Sequence, residues 1–113
     1  MVEIIVEEKI LNYLKQASLT ACVQHPDEET DEYVLVEKTG SSTQDFITTA
    51  MFAIKSYSTT KYKAAQLNEK VKMAMAGLID EDDISAVRLI TDYSYPDTTI
   101  KKERYQALFE IVY

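Results

Sequence analysis

Glycine and proline are scarce in this sequence, with two of each among 113 residues. So few leave no composition for a flexible linker or a proline-rich stalk. They also remove most glycine-rich loops of the kind that cradle phosphates. One cysteine, Cys22, excludes an intramolecular disulfide, and with one histidine, His25, there is no Cys/His cluster for zinc. Tryptophan is absent. No stretch approaches the ~18 consecutive apolar residues of a membrane span. The opening Met-Val-Glu-Ile-Ile-Val-Glu-Glu-Lys has neither a basic region nor a continuous apolar run, so no secretory signal is expected. Cytoplasm is the expected compartment, in keeping with a small domain that has no bridges. A basic stripe is missing as well. The net charge is −7, which would repel a phosphate backbone rather than grip it. Neither sequence-specific nucleic-acid binding nor a membrane partner is expected.

What remains is an ordinary globular composition, 46% apolar and 27% charged, at the size of one domain spanning 1–113. The charge is unevenly spread. Residues 1–31 carry a net −5, residues 32–79 a net +2 and residues 80–113 a net −4.

Hydrophobic spacing predicts the elements. Residues 3–17 place Val6, Ile10, Tyr13, Leu14 and Ala17 on one helical face, with acids in the first half where the helix dipole favours them. Thr20 to Gln24 reads as a short strand, broken by His25-Pro26-Asp27. Residues 32–38 have a buried-strand pattern, and Thr39-Gly40-Ser41-Ser42 reads as a turn into a long strand from Asp45 to Tyr57. In that strand Phe46, Ala50, Phe52 and Ile54 share one parity. A second helix is expected over 60–79, with N-cap candidates in Ser58-Thr59-Thr60 and apolar positions Ala64, Leu67, Val71, Ala74, Met75 and Leu78. Residues 84–95 alternate, with Val87, Leu89, Thr91 and Tyr93 set against Arg88, Ile90 and Asp92. Arg104 to Tyr113 alternates most cleanly. The order α-β-β-β-α-β-β predicts an α+β fold: a mostly antiparallel four- to five-stranded sheet with two helices packed on one face.

Chemistry-bearing candidates are few. His25 sits in a turn and reads as a surface residue. Cys22 lies three residues away in a strand pattern, and residues at that spacing point to opposite faces, which argues against a Cys–His pair. Asp80-Glu81-Asp82-Asp83 lacks the spacing and internal glycine of a calcium loop and reads as a solvated connection. Thr39-Gly40-Ser41-Ser42 lacks the rest of a phosphate-loop motif. An enzyme is not expected, nor is a cofactor or a metal.

Tyrosine is the abundant residue, with eight copies. Tyr93, Tyr95, Tyr105 and Tyr113 fall in the final hairpin. Tyrosine offers apolar area with a polar tip, which suits interfaces, and it equally stabilises a hairpin through cross-strand pairs.

Five segments taken together carry a family likeness. They are Tyr33-Val-Leu-Val-Glu-Lys-Thr-Gly40, Phe52-Ala-Ile-Lys-Ser-Tyr57, Ala64-Ala65-Gln66-Leu67-Asn68, Asp92-Tyr-Ser-Tyr-Pro-Asp97 and Arg104-Tyr-Gln-Ala-Leu-Phe-Glu-Ile-Val112. In this order the chain resembles the small tail-completion proteins of siphophages and prophages of Gram-positive bacteria, the tail terminator and tail-to-head joining proteins. The resemblance implies a compact α+β domain that assembles into a ring, commonly a hexamer, in the tail or neck of the virion after assembly in the host cytoplasm. Its partners would be further copies of itself, the tail tube protein and the head connector. The residues expected at the interface are Tyr93, Tyr95, Asp97, Lys101, Lys102 and Arg104. A different expectation is a cytoplasmic acidic adaptor or immunity-type domain, in which Asp27, Glu28, Glu29 and Asp31 with the run Asp80 to Asp83 meet a basic partner.

Overall fold

A computed structural model of the chain describes residues 6–23, 31–81, 84–96, 98–99 and 102–113. Its elements are α1 (Val6–Gln16), β1 (Ala21–Cys22), β2 (Tyr33–Gln44), β3 (Ile47–Ser58), α2 (Lys61–Ala76), a 3-10 turn (Gly77–Asp80), β4 (Ala86–Ser94) and β5 (Glu103–Val112). The five strands form one sheet in the order β1-β2-β3-β5-β4. The β2–β3, β3–β5 and β5–β4 pairings are antiparallel, and β1 runs parallel to β2. The fold is α+β, with the expected element order. His25 and the acids Asp27, Glu28 and Glu29 lie outside the described residues, as do Asp82 and Asp83.

Each helix exists because its apolar stripe matches the sheet below. In α1, Val6, Ile10 and Leu14 are buried, Glu7 and Glu8 occupy the first turn and Lys15 the last, each charge on the end the helix dipole favours. The helix ends in a Schellman turn. Ser18 takes the left-handed conformation at φ 67°, its N–H donates to Lys15 O, and that of Leu19 donates to Leu14 O. Ala17, expected on the apolar face, is exposed at this exit. Thr60 caps α2, its hydroxyl accepting from Lys63 N at 3.1 Å, an interaction worth about 1 kcal/mol. Ala64, Leu67, Val71 and Met75 are buried beneath α2. The expected helix over 60–79 is α-helical only to Ala76 and then tightens into the 3-10 turn. There Gly77 lies so close to Tyr13 of α1 that a methyl group would meet the phenol oxygen.

Both helices cover one face. Val34 and Val36 of β2, Ala50, Phe52 and Ile54 of β3, and Ala107, Phe109 and Ile111 of β5 join the helical stripes in a single core. Leu78 and Ile84 close its end. No helix among the described residues is long and apolar enough to cross a membrane.

Three expectations are corrected. Thr39-Gly40-Ser41-Ser42 is not a turn: β2 runs through it to Gln44, and the chain reverses at Asp45-Phe46. Both turn residues have positive φ, 53° and 67°, as a two-residue turn matched to strand twist requires. Gly40 is instead next to a register shift between Lys38 and Gly40, where a bulge admits an extra residue. Second, Phe46 does not share the inner parity of Ala50 and Phe52. It sits at the hairpin tip, fully exposed at 100%. Third, the alternation in β4 is broken by a shift between Leu89 and Thr91. Ile90 is the extra residue, so Asp92 pairs with Ala107 and joins the helix-covered face with Val87 and Leu89.

The last correction explains a buried polar contact. Asn68, 1% exposed on the inner face of α2, donates its amide to Asp92 Oδ2 at 2.8 Å, and Lys72 Nζ donates to the same oxygen at 3.2 Å. Lys72 also reaches Glu69 at 3.0 Å. These hydrogen bonds, first to Glu69 and then to Asp92, hold the Lys72 ammonium above its ordinary pKa.

Candidate protein interface

The sheet face turned away from the helices carries an aromatic and cationic row. Residues paired directly across an antiparallel ladder share a face, and the register places Tyr33 opposite Tyr57 and Tyr57 opposite Arg104. The Tyr33 and Tyr57 rings stack, centroids 4.7 Å apart and 15° between planes. Arg104 lies against Tyr57 at 5.6 Å from the ring centroid and over Tyr95 at 4.2 Å. It donates through Nη1 to the Tyr57 hydroxyl at 3.0 Å and through Nε to Tyr95 O at 2.7 Å. The Tyr95 N–H in turn donates to Arg104 O. Lys102 Nζ stands 6.0 Å from the Tyr33 ring centroid. A guanidinium held by two hydrogen bonds between two π faces is fixed in place.

The next row continues the pattern. Tyr93 pairs with Gln106 across β4 and β5, and its hydroxyl accepts from Gln106 Nε2 at 2.8 Å. The Tyr93 and Tyr95 rings lie 6.1 Å apart, tilted by 46°. Tyr33 and Tyr57 are buried, whereas Tyr93 and Tyr95 remain 39% and 50% exposed. Two tyrosines thus form the base of the cluster and two present their rings outward. Farther along this face Lys55 bridges Glu37 at 2.8 Å and Arg88 bridges Glu110 at 2.9 Å. Cys22 packs beside Tyr33, Leu35 and Tyr57, and its thiol donates to Val34 O at 3.5 Å.

Of the six residues singled out from the sequence, the structure gathers Tyr93, Tyr95, Lys102 and Arg104 into this one cluster. Asp97 and Lys101 lie outside the described residues. Tyr33, Tyr57 and Gln106 were not among the six. The signal for the first two was hidden by the misplaced turn: with the reversal at 45–46 and one bulged residue, Tyr33 and Tyr57 fall opposite each other.

Two further features lie apart from this cluster. The outer half of β2 is exposed from Glu37 to Gln44, in a body measuring 43 × 26 × 24 Å. At the base of β2, a groove of about 460 Å³ opens between α1 and the sheet, lined by Glu7, Glu8, Leu11, Val23, Val36, Glu37 and Lys38. The described residues gather no group of three or more His, Cys, Asp or Glu side chains placed to hold a metal ion. The chain matches no protein-family model and no curated protein.

Proposed function

We propose that this chain is a structural assembly protein of a phage or prophage tail, forming a ring that terminates the tail tube and joins it to the head connector. The observation that carries this reading is the long β2–β3 hairpin. It ends in an exposed tip at Asp45-Phe46, beyond Thr48, where pairing with Tyr113 stops. The likeness of five sequence segments to tail-completion proteins supports the same reading, and the α+β fold agrees with what it implies. So does the tyrosine and arginine cluster on the face without helices. Tyrosine and arginine are enriched at the centres of protein interfaces, where rigid side chains lose little entropy on binding.

A ring places identical contacts around one axis, so its subunits meet through two different surfaces of the same chain. Native mass spectrometry at rising protein concentration tests self-association, with a closed oligomer expected, commonly of six copies. Inspection of the flanking genes tests the tail role. Neighbours encoding tail tube and neck proteins are expected, and an unrelated metabolic operon refutes it.

A further inference from the structure

Ser56 Oγ, Asn68 Oδ1 and Ser94 Oγ are buried with no hydrogen-bond partner among the described residues. A polar atom taken out of water keeps its desolvation cost until something bonds to it. All three belong to the helix-covered face, in two adjacent rows of the sheet. One row runs Ile54, Ala107, Asp92 and the next runs Ser56, Tyr105, Ser94. Asn68 reaches from α2 to the Asp92 end of the first row, so its amide and the Ser94 hydroxyl share one small region under the helix. The β4 bulge that turns Asp92 inward turns Ser94 inward with it.

Chemistry fixes which way the amide points. A carboxylate offers only acceptors, so Asn68 turns Nδ2 to Asp92 at 2.8 Å and its oxygen faces elsewhere. Both donors to Asp92, from Asn68 and Lys72, use Oδ2. The Asp92 Oδ1 atom receives no hydrogen bond from the described residues. The region thus presents two acceptors, Asn68 Oδ1 and Asp92 Oδ1, beside the Ser94 hydroxyl, which can donate. Asp92 and Ser94 are two residues apart on β4, roughly 6.6 Å at the rise of a strand. Two hydrogen bonds through one oxygen span up to about 5.5 Å, and the side chains cover the remainder.

We infer that this region is an internal hydration site, holding one ordered water between α2 and the β4 side of the sheet. The water donates one hydrogen to Asn68 Oδ1 and the other to Asp92 Oδ1, and it accepts from the Ser94 hydroxyl. Three such bonds are the usual complement of a buried water. The chemistry selects water over other occupants. Lys72 already supplies the positive charge at Asp92, so a cation would meet an ammonium. An anion would meet a carboxylate and a carbonyl oxygen, and an apolar group would leave all three atoms unpaired. Ser56 provides a comparison within the same row. Tyr105 stands between it and Ser94, which places the two serines roughly 10 Å apart and beyond the reach of one water.

The test uses Ser94→Ala and Ser56→Ala in the full chain, which delete the same atom from the same row. Urea denaturation is expected to separate them. S94A removes a donor from the water, so its unfolding equilibrium constant rises roughly five-fold. S56A removes a hydroxyl that bonds to nothing and leaves the protein as stable as wild type or more so. A crystal structure fine enough to place waters is expected to show one oxygen bonded to Asn68, Asp92 and Ser94, lost or displaced in S94A. Water-to-amide NOE measurements on the wild type read the same molecule without any variant, as a long-lived cross-peak at the Ser94 amide. A wild-type map with no oxygen there overturns the site, and so does the absence of that cross-peak. S94A that matches or exceeds wild type in stability overturns it equally, since an unhydrated hydroxyl loses nothing on removal.

Discussion

Folding raises the pKa of Lys72, and its position explains why. It lies against Glu69 on its own helix and Asp92 on β4, and both hydrogen bonds favour the charged ammonium. A lysine whose pKa is raised by folding adds stability that is fully present below its unfolded value and is lost as pH rises through the folded one. The pair therefore contributes at neutral pH and vanishes in strong alkali. Comparing wild type with Lys72→Met by chemical denaturation at about pH 7 and about pH 11.5 should show the variant's deficit shrinking at the higher pH. A deficit of equal size at both would mean that packing of the methylene stem, not charge, is what Lys72 supplies.

At the scale of the element, β4 shows how one residue redirects a strand. By parity alone Asp92 faces away from Val87 and Leu89. The Ile90 bulge brings it under α2, where the buried Asn68 amide needs an acceptor. Replacing Asp92 with alanine strands that amide, a loss of about 2 kcal/mol. Thr91→Ala, at an exposed position beside it, should fall within about 0.5 kcal/mol of wild type. Urea denaturation of both variants measures the difference, and equal stabilities would return Asp92 to the solvent side.

The same element shows what could be read in the residues and what could not. Regular periodicity carried α1, α2 and β5, because a stripe at Val6, Ile10 and Leu14 or an alternation from Tyr105 to Ile111 follows from a single repeating geometry. Bulges at Thr39 and Ile90 interrupt such geometry by one residue and leave no mark in composition. The β2–β3 reversal was missed for a related reason. Gly40 and two serines offered the usual turn chemistry, whereas Asp45-Phe46 supplies a left-handed turn with an aromatic residue in it. Four of the six candidate interface residues come together because the final hairpin was recognisable. Their partners Tyr33 and Tyr57 depended on a register that only the corrected turn reveals.

For the molecule as a whole, the decisive feature is how far along the chain its contacts reach. The central strand β3 pairs on one side with β2 and on the other with β5, so Ala50 meets Ile111 across most of the C-terminal half. Helix α2 packs against both β3 and β5, so its full packing needs these distant strands to meet. A topology dominated by such pairings folds in roughly milliseconds to seconds. Stopped-flow refolding should show one phase in that range, and a microsecond phase accounting for the full amplitude would mean that the helices nucleate alone.

The bulge in β4 has one more effect, on solubility rather than on folding. β4 closes one side of the sheet, and among the described residues its outer backbone has no neighbouring strand. A flat, regular edge of that kind would accept an incoming strand from any molecule. Ile90 interrupts the spacing of donors and acceptors midway along it, so an unselected strand meets a template it cannot follow for more than a few residues. The sheet is thereby kept from extending along its β4 edge.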